Sequence, residues 1–189
     1  MSIDPYIPSA KFIDPDNILE QLQVKENDIV ADLGCGSGYY TFAAAKKVGE
    51  EGKVYAVDIQ KTVLSALQSK IKLQGTRNIT TIWADIEVPG STKIAASSVD
   101  FTLLAAIFYQ TQKHEQILIE AKRITKDKGK IVIIDWKSTN VPLGPGTELR
   151  VSKDIIRRQA EAIDLKFGRE INVGPYHYGL VFEKIDSRL

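Results

Sequence analysis

Ile29-Val30-Ala31-Asp32-Leu33-Gly34-Cys35-Gly36-Ser37-Gly38 decides how this chain is read. An apolar run closes on an acid and then on three glycines at alternate positions. A second apolar run, Val54 to Val57, ends in Asp58. The order is strand, tight turn, helix, second strand, with a carboxylate at the second strand's tip. That layout suits a nucleoside-bearing cofactor at the carboxyl edge of a parallel sheet. Gly34 and Gly36 let the backbone turn sharply and admit a ligand where a Cβ would collide. Gly38 sits where the next helix begins, whose amino terminus then faces an anionic group.

Outward from that stretch, short apolar strands alternate with helices. Strands are expected over Ile29–Leu33, Lys53–Asp58, Ile79–Trp83, Val99–Leu104 and Lys130–Asp135, the last preceded by a turn at Asp127-Lys128-Gly129. Helices are expected over Tyr39–Val48, around Val63, Leu64, Leu67 and Ile71, and over Gln112–Ile124. Asp14-Pro15 opens a short helix through Leu22, with the acid as cap. Residues 138–148 are rich in turn signals. Ser152 then caps a helix to Ile163, and Leu165–Ile171 and His177–Ile185 read as a terminal strand pair. The predicted fold is α/β: a doubly wound, seven-stranded, mostly parallel sheet with a C-terminal antiparallel hairpin. One domain is expected over 1–189. Residues 1–24 read either as a lid over the site or as a helical cover of the core.

The bulk numbers exclude several classes. With 25 Lys plus Arg against 24 Asp plus Glu, the net charge of +1 gives no footing for an electrostatic nucleic-acid binder. The single Cys35 rules out an internal disulfide and a cysteine-rich zinc site, and two histidines make a histidine metal site improbable, so no metal is assigned. No signal peptide is visible, and no apolar run approaches the ~18 residues of a membrane span. A cytoplasmic protein is the expectation.

The glycine pattern departs from the dinucleotide fingerprint. The third glycine of that fingerprint would fall at position 39, where Tyr39 stands. Asp32, two residues before Gly34, is badly placed for phosphates and suits a cationic amino group. The run VADLGCGSGYYT (30–41) resembles the cofactor loop of class I S-adenosylmethionine-dependent methyltransferases, a Rossmann-like fold. Weaker similarities follow at VYAVDI (54–59), WADIE (83–87), VDFTLLAAIFYQ (99–110), GKIVIIDWK (129–137) and YHYGLVFEK (176–184). The pattern is similar to small stand-alone members of the ubiquinone/menaquinone type.

The resemblance implies S-adenosyl-L-methionine as cofactor. Asp32 and Gly34 would hold its methionine end, with Cys35, Gly36, Gly38 and Tyr39 around the loop. Asp58 would accept both ribose hydroxyls, since a carboxylate takes two donors at once. Ile59 would lie against the adenine. Asp85 would bind the exocyclic amine, with Ala84 and Ile86 beside the ring. Leu104 is assigned to the cofactor side, at the start of the segment after the fourth strand that lines the acceptor space in this family.

For the acceptor, Ala105, Tyr109 and Trp136 are the substrate-side candidates, with Tyr6, Tyr39, Tyr109 and Trp136 converging as an aromatic wall. Tyr109 and His114 are the candidates for proton transfer, although His114 equally suits a cap at the opening of the next helix. His177 is a substrate-side candidate whose alternative is a hydrogen-bonded structural histidine. The apolar Leu104–Phe108 segment favours a small or lipid-like acceptor. A protein or RNA acceptor, and a non-catalytic cofactor-binding scaffold, are the competing readings.

Overall fold

The computed structural model describes residues 13–139 and 143–185. Seven strands form one sheet in the order β3-β2-β1-β4-β5-β7-β6. The strands are β1 (Ile29–Leu33), β2 (Lys53–Asp58), β3 (Ile79–Trp83), β4 (Val99–Ala105), β5 (Thr125–Trp136), β6 (Leu165–Ile171) and β7 (His177–Lys184). β1 to β5 run parallel, and β7 is antiparallel to both β5 and β6. The parallel core with its antiparallel C-terminal pair is the arrangement expected from the sequence.

Side-chain alternation explains why both faces are covered. Ala31, Leu33, Val57, Leu104, Ile131 and Ile133 project to one face and meet α4 (His114–Ile124) and α5 (Lys153–Ala162). Val30, Val54, Leu103, Val132 and Ile134 project to the other and meet α1 (Pro15–Gln21) and α2 (Tyr39–Val48). Leu64 and Leu67 of α3 (Lys61–Gln74) pack on Ala56 of β2. The strand order reverses between β1 and β4, which opens a crevice at the carboxyl ends of the central strands. Among the described residues no helix is long and apolar enough to cross a membrane.

Most element ends fall within one residue of the sequence expectation, and two elements start elsewhere. β5 begins at Thr125 rather than Lys130, because the Asp127-Lys128-Gly129 turn signal is absorbed as a bulge inside the strand. Val99 pairs with Thr125 and Phe101 with Lys130, so residues 126–129 face Asp100 alone, and Lys128 takes a left-handed φ of 64°. α4 begins at His114 rather than Gln112, since Thr111 is extended and its hydroxyl accepts the Lys113 N–H at 3.0 Å.

Of the N-terminal stretch expected as lid or cover, residues 1–12 lie outside the described residues. Residues 13–24 pack on the sheet face that carries α2. Asp14 caps α1 by accepting the N–H groups of Asp16 (3.0 Å) and Asn17 (3.3 Å). Ile18, Leu19 and Leu22 are fully buried against the core. Ile18→Ala is therefore expected to lower stability by about 2–4 kcal/mol, read as a fall in the urea unfolding midpoint; an unchanged midpoint would make α1 an accessory.

Candidate functional site

The glycine loop is pinned from below. The N–H groups of Gly34 (2.8 Å) and Cys35 (2.9 Å) both donate to the carbonyl of Val57, which ties the end of β1 to the end of β2. Gly34 has φ +77°, and a Cβ there would fall on the Ile107 side chain. Gly36 has φ +51° and open space where its Cβ would be. Gly38, at φ +85°, caps α2 and leaves no room for a Cβ beside Leu67 and Phe42. Its role is close packing, and it does not line the cavity.

Above the loop lies a cavity of about 940 Å³ at the carboxyl ends of β1, β2 and β4. Asp32, Asp58 and Asp85 all line it. Asp32 is 2% exposed and accepts a 2.6 Å hydrogen bond from the Thr41 hydroxyl. Burial, with a further push from the Asp58 charge, raises its carboxyl to about 6. Asp58 Oδ2 accepts the Gly36 N–H at 3.0 Å, and Oδ1 accepts the Gln60 N–H at 2.8 Å. Asp85 Oδ1 accepts the Glu87 N–H at 2.9 Å. Ala84 and Ile86 flank Asp85 on the same wall. Cys35 lines the cavity as well, its thiol pushed up by burial and by the two acids, so it stays protonated.

The walls complete the site. Ile59 lines it, and its carbonyl accepts the Trp83 indole N–H at 2.8 Å. Trp83 is 59% exposed and carries the Lys61 ammonium 4.0 Å above its ring. Tyr39 and Tyr40 stand edge to face, with centroids 5.7 Å apart, on the α2 side. Tyr39 donates its hydroxyl hydrogen to the Ile13 carbonyl, while the buried Tyr40 hydroxyl has no partner among the described residues. Ala105, Tyr109 and Trp136 line the opposite end.

Besides Gly38, three further expected site residues do not line this cavity. Leu104 is fully buried and points into the sheet core, because strand alternation turns it away; Ala105, Ala106 and Ile107 line the cavity there. His114 does not line the cavity. Its Nε2–H donates to the carbonyls of Phe108 (3.0 Å) and Thr111 (2.8 Å), so this ring braces a turn. His177 sits behind Trp136, ring centroids 4.0 Å apart, and faces a second, smaller cavity. Burial, with Lys137 and Arg150 nearby, lowers it to about 4, so the ring is neutral at physiological pH. Tyr6 lies outside the described residues.

Other parts of the wall carried no clear signal. Thr41, in the first turn of α2, reaches Asp32 from below the cavity. Gly144, Pro145, Gly146 and Leu149 line the cavity because the 143–150 stretch folds back over Trp136. Arg150 holds that fold by donating to the carbonyls of Leu143 (2.8 Å), Pro145 (2.9 Å) and Thr139 (3.0 Å). The sequence shows turns there and gives no hint of where they land.

Comparison with known proteins agrees with this geometry. A family model described as a methyltransferase domain matches residues 24–164. The chain belongs to that family. A crystal structure of a SAM-dependent methyltransferase from Aquifex aeolicus superposes with a TM-score of 0.86 at 29% identity, covering 97% of this chain and 100% of that one. The demethylmenaquinone methyltransferase of Geobacillus stearothermophilus is 26% identical over 120 residues, 63% of this chain and 50% of its own length. The methyltransferase domain thus spans about half the length of the curated relatives it matches. Aeropyrum pernix fibrillarin, solved with natively bound S-adenosyl-L-methionine, shares the fold at 21% identity and a TM-score of 0.67, covering 84% of this chain and 67% of that one. Together these likenesses support S-adenosylmethionine as the cofactor of the domain.

The buried acid gives a stability prediction independent of any ligand. A carboxyl raised in the folded state favours folding below its unfolded value of 3.8, and that increment is lost as pH rises through about 6. Asp32→Asn should therefore stabilise the ligand-free protein on the order of 2 kcal/mol at pH 7.5, and the gain should vanish near pH 4. Unfolding curves at the two pH values measure it.

Proposed function

We propose that this protein transfers a methyl group from S-adenosylmethionine to a small, largely apolar acceptor. The observation that carries the reading is the convergence of three carboxylates on one cavity, Asp32 and Asp58 both buried and Asp32 with no cationic partner among the described residues. A buried carboxylate of that kind is unfavourable until a positive group reaches it. The residues fit the cofactor's parts. Asp32 meets the amino group of the methionine end, beside the orphaned Tyr40 hydroxyl. Each oxygen of Asp58 accepts one backbone N–H and keeps a lone pair, which suits a ribose diol. Asp85 uses Oδ1 on a turn amide and presents Oδ2 to the exocyclic amine of the base. Gly34 and Gly36 keep the loop free of side chains where the nucleoside approaches.

The cofactor supplies an electrophilic methyl on a sulfonium. The chain binds, aligns and excludes water. Alignment of reacting groups is worth about 7–11 kcal/mol in well-oriented model reactions. Ala105, Ile107, Tyr109, Trp136 and Leu149 present the apolar and aromatic wall against which an acceptor is oriented. Of the groups nominated for proton transfer, Tyr109 is the one that faces this cavity. The demethylmenaquinone methyltransferases among the relatives act on a small molecule, which supports the same acceptor class here.

Calorimetry tests the cofactor assignment. S-adenosylmethionine and its demethylated product should both bind, and Asp58→Ala should weaken binding by about 30- to 100-fold, the range for lost hydrogen bonds to a charged group. Equal affinity in the variant, or preference for a nicotinamide dinucleotide, would contradict the reading. A labelled-methyl assay on fractionated extract tests the acceptor. Label should enter the small-molecule or lipid fraction, and Trp136→Ala should reduce that transfer without changing cofactor affinity. Label confined to protein or RNA would refute the acceptor class.

A further inference from the structure

After β4 the chain leaves the sheet in an unusual way. The Ala106 N–H still donates to the Ile134 carbonyl at 2.7 Å, continuing the β4–β5 ladder. Ala106 itself takes a left-handed φ of 58°, a conformation that side-chain-bearing residues seldom adopt. The segment then turns through a short 3₁₀ stretch, Phe108–Gln110. The Gln110 amide closes the turn on the Ile107 carbonyl at 3.0 Å, while those of Phe108 and Tyr109 point back toward the end of β5.

Asp135 supplies the acceptor. It is 0% exposed, on the penultimate residue of β5. Oδ2 accepts the Phe108 N–H at 2.8 Å and Oδ1 accepts the Trp136 N–H at 2.7 Å. The Tyr109 amide lies within its reach as well. The carbonyls of the same segment are held from the other side by His114, as described above. The His114 ring also stands edge to face on Phe108, centroids 5.3 Å apart. Amides are thus gathered by one side chain and carbonyls by another, and neither side chain lines the cavity.

What the segment carries makes this consequential. Ile107 occupies the space that a Cβ on Gly34 would need, so it packs directly on the glycine loop. Tyr109 and Ala106 line the far end of the same cavity. A buried carboxyl that serves only backbone amides is costly in a core where an apolar side chain would otherwise fit. It persists where those amides have no other partner.

We propose that Asp135 and His114 form a positioning pair that fixes residues 106–111 against the glycine loop, setting where Ile107 and Tyr109 meet cofactor and acceptor. The link to ligand rests on the function proposed above; the clamp itself does not.

Hydrogen–deuterium exchange on the full chain tests the clamp. Asp135→Asn keeps the volume and replaces one acceptor oxygen with a donor. His114→Gln removes the ring that holds the carbonyls. Each should speed exchange across residues 104–112 by about tenfold, with residues 29–48 unchanged. Each should also weaken S-adenosylmethionine binding by roughly three- to tenfold, although neither residue lines the cavity. If one variant fails to fold, the other decides the matter. Wild-type exchange in 104–112, or acceleration spread evenly over the sheet, would overturn the pairing. A wild-type protein without affinity for S-adenosylmethionine would instead overturn the proposed function, and the exchange result would still stand or fall by itself.

Discussion

Two amides converge on one carbonyl, and the site follows from that. When Gly34 and Cys35 both donate to Val57, the chain leaving β1 is held against the tip of β2. Asp32 and Asp58 then face the same space, close enough for the second to raise the first. The Gly36 N–H turns back to Asp58 and locks its carboxylate in place. The left-handed angles at 34 and 36 favour glycine, and at 34 a Cβ would also collide with Ile107, so glycine at 34 is a geometric requirement. From this knot the parallel sheet sets the rest: Trp83 at the end of β3 pairs with Asp58 and places Asp85 just beyond, and β4, pairing Leu103 with Asp32, carries Ala105 to the same cavity.

The sheet was legible because its strands are short, apolar and separated by unambiguous glycine turns. Tyr39–Val48, Lys53–Asp58 and Ile79–Trp83 form as expected, residue for residue. The bulge in β5 was hidden because a turn signal inside a strand has the same residues as a turn between elements. The convergence of the three acids was legible too, since each sits at a strand tip and parallel strands align their tips. The acceptor end was harder. Leu104 and Ala105 differ by one residue, and a strand sends such neighbours to opposite faces. His114 and His177 were plausible by type alone, yet helix register and cross-strand pairing turn both away from the cavity. The wall built from Gly144 to Leu149 depends on Arg150 gathering carbonyls across a loop, a long-range contact that no local pattern encodes.

The site illustrates a trade between stability and binding. Asp32 is held almost out of water, with one hydroxyl donor and a like charge nearby. That arrangement disfavours the ionised form in the empty fold and favours it when a cation arrives. Asp135 is raised to about 6 for a similar reason, but its partners are backbone amides, so its effect is on shape. In the proposed reading these two buried acids have different tasks, distinguished by whether they face the cavity or the chain.

Cofactor binding, as proposed, depends on Asp32 receiving a positive charge. Carbon-13 NMR of the Asp32 carboxyl, titrated with and without S-adenosylmethionine, tests this directly. The free protein should titrate near pH 6 at this position, and the bound protein well below that, with the carboxylate ionised throughout the neutral range. An Asp32 titration that is the same in both states would contradict it.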